Sequence, residues 1–143
     1  MAITVSLYNH TAKLFADGSN AAGDTYKVML CTAATFNAAD TTLAGVTKTE
    51  VAGSFGYTTG GQALTSVTVT TTTTNDATFD AADAQWTASG GALTASKAIV
   101  YNDTDANDPP LALIDFGGSQ SASDGNIFKL AWNASGIFTW TVA

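Results

Sequence analysis

The 143-residue sequence has no arginine, one cysteine, one histidine, two prolines, and only one glutamate among its twelve acids. Each scarcity excludes something. A nucleic-acid binder displaces counterions from phosphates with clustered Lys or Arg. Here five lysines (Lys13, Lys27, Lys48, Lys97 and Lys129) are scattered along a chain of net charge -7, so no nucleic-acid partner is expected. The same acidity opposes adhesion to an anionic membrane surface. No apolar run approaches the ~20 residues of a membrane span, so no membrane partner is expected either. One thiol cannot close an internal disulfide. Cys31 lies in the apolar run Tyr26-Lys27-Val28-Met29-Leu30-Cys31 and reads as a small buried hydrophobe. The start, Met1-Ala2-Ile3-Thr4-Val5, puts no basic residue before a long apolar stretch, and no secretory signal is expected.

What the chain does have is small, neutral and β-branched. Charged residues are 12% and hydrophobic ones 45%, where a typical soluble domain carries about 25% charged. Thr, Ser, Ala, Asn and Gly make up the difference. They cover a surface without ion pairs, which suits broad contact with a partner. The length fits one domain with its own core.

The apolar pattern is that of strands. Gln85-Trp86-Thr87 runs to Gly90-Gly91, and Ala98-Ile99-Val100-Tyr101 leads to a polar loop at 102–108. After Pro109-Pro110, Leu111-Ala112-Leu113-Ile114-Asp115-Phe116 stops at Gly117-Gly118. Two strand-length runs joined by a turn-rich loop predict a pair of sheet strands. In 24–33, Tyr26, Val28 and Leu30 alternate with Lys27, Met29 and Cys31, and in 92–101 Ala98 and Val100 alternate with Ile99 and Tyr101. Both faces of the second run are largely apolar, as in an interior strand. The threonine-rich 68–74 favours an extended backbone, turning at Asn75-Asp76 to return through Phe79, which with Trp86 is an expected core anchor. Residues 125–132 and 136–142 predict a closing hairpin. One short helix is expected, where Leu7, Thr11, Leu14 and Phe15 share a face ahead of Gly18. Residues 35–55 lack periodicity and predict a long excursion, with a helical turn near 37–43, reaching over a neighbouring subunit. Roughly seven to nine short strands predict an all-β, antiparallel β-sandwich or jelly-roll-like single domain over 1–143.

Reaction chemistry is hard to assemble. Asp103-Thr104-Asp105-Ala106-Asn107 opens like a calcium loop, but Asp108 stands where glycine is needed and Ile114 where a bidentate Glu belongs. It reads as a turn with side-chain caps. His10 has no G-x-S-x-G serine to partner it. Asp80 and Asp83 beside Trp86 read as solvated turn residues rather than a glycosidase pair. Trp86, Trp132, Trp140, Tyr57 and Tyr101 read as core aromatics before a carbohydrate platform. No cofactor, metal or catalytic residue is expected.

Four motifs in order carry a resemblance: Gly56-Tyr57-Thr58-Thr59-Gly60-Gly61, Trp86-Thr87-Ala88-Ser89-Gly90-Gly91, Ala98-Ile99-Val100-Tyr101-Asn102-Asp103, and Ile114-Asp115-Phe116-Gly117-Gly118. Across 26–124 the chain resembles small virion structural proteins of tailed bacteriophages. The resemblance implies a non-enzymatic particle component, made in the host cytoplasm and carried on the outer particle surface. Its expected partners are the major capsid protein or other virion proteins, and further copies of itself in a homo-oligomer. Two positions compete: a capsid decoration (cement) protein bridging capsomers, and a tail- or fibre-associated adaptor or receptor-binding protein. A fibre would more often show a repetitive shaft or heptads, and neither is present, which favours decoration. The expected interface residues are Phe36, Leu43, Val46, Phe55, Tyr57, Ile137, Phe138, Trp140 and Val142.

Overall fold

The computed structural model describes residues 3–71 and 76–141. Among them are one short helix and eleven strands, and every strand pairing is antiparallel. The strand count exceeds the sequence expectation because several strands are only two or three residues long.

A six-stranded sheet forms the larger layer. Its order is β1 (Thr4–Leu7), β9 (Pro110–Ala122), β8 (Leu93–Asn102), β2 (Tyr26–Ala34) and β3 (Lys48–Glu50). The two-residue β4 (Gln62–Ala63) shares the far side of β2 with β3. β8 and β9 pair as the alternation predicts, with Val100 opposite Ala112 and Ala98 opposite Ile114. Gly117-Gly118 is not the end of a strand. At φ 75° and 156° these glycines form a bulge inside the thirteen-residue β9, which continues to pair Gln120 with Ala95. Glycine permits that kink because it has no Cβ to resist positive φ.

Two smaller sheets face this layer. One joins β7 (Ala84–Thr87) to β10 (Ile127–Leu130); the other runs β11 (Phe138–Thr141), β6 (Asp76–Asp80), β5 (Thr68–Thr70). One face of the large sheet (Tyr26, Val28, Leu30, Ala98, Val100, Ile114) shares a single core with Phe79, Trp86, Phe128, Leu130 and Phe138 of the small sheets. Phe79 stacks on Phe138 at 4.9 Å and meets Tyr26 edge-on at 5.1 Å. The helix α1 (His10–Ala16) ends before Gly18 at φ 79° and packs Phe15 against the rings of Tyr26, Phe79 and Trp140.

Two further expectations are corrected. The last two strands do not pair with each other: β10 pairs with β7, setting Phe128 opposite Trp86, and β11 pairs with β6, setting Phe138 opposite Phe79. Aromatic partners on the two small sheets decide the pairing, and 133–136 merely turn the chain through one isolated bridge. The 35–55 excursion contains no helical turn, and it folds back over its own sheet. Val46 and Leu43 pack with Tyr8, Met29, Cys31, Ile99, Tyr101 and Leu113 in a second core on the outer face. Within the threonine-rich 68–74, Thr68–Thr70 is strand as expected, and 72–75, with the Asn75 half of the predicted turn, lies outside the described residues.

Candidate functional site

The predicted interface residues separate. Val46, Tyr57, Ile137 and Phe138 are buried in the chain's own cores, and Leu43 and Trp140 are partly buried against them. Phe36 and Phe55 remain 37% and 46% exposed. Phe36 leans on the Tyr8 ring at 4.9 Å, and Phe55 covers Gly91, where a Cβ would meet its ring at 2.5 Å. Val142 lies outside the described residues.

Tyr57 is held by a network. Its hydroxyl accepts from the Leu30 N–H at 3.1 Å and donates to Glu50 Oε1 at 2.7 Å, which also accepts from the Gly60 N–H. Tyr101 donates to the Gly60 carbonyl at 2.6 Å. Burial, then the Glu50 carboxylate, raises the Tyr57 phenol far above its ordinary value. The 57–61 turn is thus tied to its own sheet.

The chemistry-bearing side chains are likewise occupied locally. Burial pushes the Cys31 thiol up to about 12, so it stays protonated. Asp103 pairs with Lys27 at 2.9 Å, and Asp105 caps the Asn107 N–H at 2.8 Å, as the turn reading requires. Asp108, at φ 46°, has its carboxyl raised by burial and then by Asp103. Asp83 binds Lys129 at 2.9 Å and accepts from the Trp132 N–H, and both hold its carboxyl below the usual range. Among the described residues no group of three or more His, Cys, Asp or Glu stands close enough to hold a metal ion.

The uncommitted surface lies elsewhere. Between β9 of the large sheet, with Ile3 just ahead of β1, and β10 of the small one runs a groove of about 440 Å³. Its walls include Ile3, Phe116, Ile127, Phe128 and Leu130. A second depression of about 250 Å³ adjoins it, sharing Ile3, Leu130 and Ala131 and adding Val5, Trp132 and Ile137. Three of the six exposed large hydrophobics among the described residues, Ile3 (58%), Val5 (40%) and Ile127 (56%), stand here. Among the described lining residues only Lys129 is charged, and Asp83 neutralises it. Among the described residues β1 pairs only with β9 and β10 only with β7, so each has one edge without a strand partner.

Sequence reasoning missed this surface. The alternation Ile3, Val5, Leu7 was legible, but it gives no sign that the opposing layer stops short of it. Comparison with protein-family models gives no match, and comparisons with curated proteins and with solved structures give no significant one.

Proposed function

We propose that the chain is a non-enzymatic virion structural protein that decorates an assembled phage capsid and bridges adjacent capsomers. The observation that carries this reading is the groove with its three exposed aliphatic side chains, whose one charged lining residue, Lys129, is paired with Asp83. Exposed aliphatic side chains gathered in one place favour a protein contact there. The motif resemblance across 26–124 supports the phage assignment. The finer fold reading, a β-sandwich, is supported by the core that the large sheet shares with the two small ones.

Cementing of this kind is mass-action linkage. A protein that binds the expanded, assembled lattice and not its loose subunits stabilises the lattice by its binding free energy. Avidity from several weak apolar contacts per particle suffices.

The test is to add the purified chain to capsids stripped of their surface proteins, image them, and count bound copies by quantitative gel. Decoration predicts on the order of a hundred or more copies in the symmetry of the shell, whereas about a dozen or fewer would place the chain at the tail. No binding to any part of the particle would overturn the reading.

A further inference from the structure

The large sheet ends differently on its two sides. On one, β3 is three residues long, carries Lys48 and Glu50, is displaced by a register shift between Cys31 and Ala33, and shares its edge with the two-residue β4. Shortness, charge and irregularity are the means by which sheets repel a further strand. On the other side β1, four residues long, has neither charge nor irregularity to protect it. Ile3-Thr4-Val5-Ser6-Leu7 contains no charge, proline or glycine. Ile3 and Val5 are largely uncovered.

Ladder geometry decides which backbone groups of β1 are free. The Tyr8 N–H donates to the Leu111 carbonyl at 3.1 Å, one step beyond the Leu7–Ala112 pair. In an antiparallel ladder such bonds alternate. Tyr8, Ser6 and Thr4 therefore point their N–H and C=O groups at β9, and Leu7, Val5 and Ile3 point theirs outward.

We propose that β1 pairs antiparallel with β1 of a second copy of this chain, about a two-fold axis at Val5. Around that axis the segment is self-complementary: Val5 faces Val5, Ile3 faces Leu7, and Thr4 faces Ser6. Apolar meets apolar and hydroxyl meets hydroxyl. A foreign strand would need only the alternation; correspondence of the two halves about Val5 is what an isologous contact demands. The outward groups of Ile3, Val5 and Leu7 then form about six main-chain hydrogen bonds across the axis. Since Ile3 and Val5 line the groove, the second copy sets its own β1 apolar residues beside them and lengthens the apolar floor. Charge points to the same place. Two molecules of net charge -7 repel, and β1 offers them an uncharged approach. The nearest acid on the neighbouring strand, Asp115 opposite Thr4, is already paired with Lys97.

The pairing does not depend on the capsid reading, since a chain that dimerises and ignores every shell would keep one and lose the other. The full chain is expected to sediment as a dimer. Val5→Cys should link two copies through a disulfide under mild oxidation, because a hydrogen-bonded pair holds its Cα atoms about 5.5 Å apart, inside disulfide range. The native thiol, Cys31, is fully buried and does not compete. Thr4→Cys, which would face Ser6 and not itself, should link at least tenfold more slowly, and Thr4→Cys/Ser6→Cys should restore fast linking. Val5→Lys, at an exposed position, should keep the wild-type near-ultraviolet circular dichroism and sediment as a monomer. Any one of three results overturns the proposal: a wild-type monomer at up to about 1 mM, a dimer that survives Val5→Lys, or Thr4→Cys linking as fast as Val5→Cys.

Discussion

Glu50, the only glutamate in the chain, shows how much of the fold rests on single residues. Its one oxygen holds both the Tyr57 hydroxyl and the Gly60 N–H, and Tyr57 in turn accepts from the main chain of β2. Tyr57→Phe leaves the Leu30 N–H buried without that acceptor, a loss of about 1–3 kcal/mol. Urea unfolding of the two proteins measures it, and a cycle with Glu50→Gln shows how much is shared. Gly61 is constrained differently. At φ 79° a Cβ there would lie 2.0 Å from the Val28 carbonyl oxygen and 2.7 Å from the Met29 Cα, both main-chain atoms. Gly18 has the same φ with nothing within 4 Å. Gly18→Ala should therefore cost about 1–2 kcal/mol, the left-handed penalty alone, and Gly61→Ala distinctly more by thermal melting. His10 sets a pH dependence. Neither ring nitrogen has a partner in bonding geometry, and burial lowers its pKa below 6.5, aided by Lys13 and partly offset by the Asp40 main chain. Below 6.5 the unfolded chain binds the proton that the folded chain resists, so stability is full above that pH and lost as pH falls toward the depressed value. Melting temperature should drop between about pH 7 and 5, and His10→Phe should flatten the drop.

At the scale of elements, alternation carried the sequence reading as far as it could. Tyr26, Val28 and Leu30 do face one core, with Met29 and Cys31 in the other, because a strand's side chains must alternate whatever its neighbours. The central position of β8 was legible for the same reason: only a strand covered on both faces can be apolar on both. Which strand pairs with which was less legible. Proximity in sequence favoured a final hairpin, yet Phe128 and Phe138 each found an aromatic on a different, earlier strand. Long-range ring packing outweighs a short turn, and a single sequence does not display it. Burial of the expected interface residues was no more legible, since Val46, Tyr57, Ile137 and Phe138 lie in the chain's own cores while Phe36 and Phe55 stay exposed. Aromatic and aliphatic residues in the last strand look available until the layer that buries them is known. One consequence can be measured. Removing residues 137–143 strips Phe138 from Phe79 and Trp140 from Phe15. The truncated chain should therefore lose its own fold, where a strand lent to a neighbour would leave a folded monomer. Loss of near-ultraviolet circular dichroism together with loss of solubility is the expected result; a folded, soluble truncation would show that β11 is dispensable to the core.

The whole molecule presents a net charge of -7 on a surface of few charges, and four of its five lysines are held in ion pairs. Its fifth, Lys48, donates to the Leu43 carbonyl. Cationic contact with an acidic partner is thus poorly supplied, while the groove offers apolar contact without a facing acid. The two kinds of association respond oppositely to salt. Ion pairing between surfaces weakens as the screening length falls from about 30 Å at 0.01 M to about 3 Å at 1 M. Apolar contact between two acidic bodies strengthens over the same range, because only their long-range repulsion is screened. Self-association through β1 should therefore tighten, and its dissociation constant fall, as sodium chloride rises through that range. Sedimentation equilibrium at several ionic strengths reads the slope directly. A dimer that loosened with salt would put charged residues in the contact, and would count against every interface argued from the uncharged edge of this sheet.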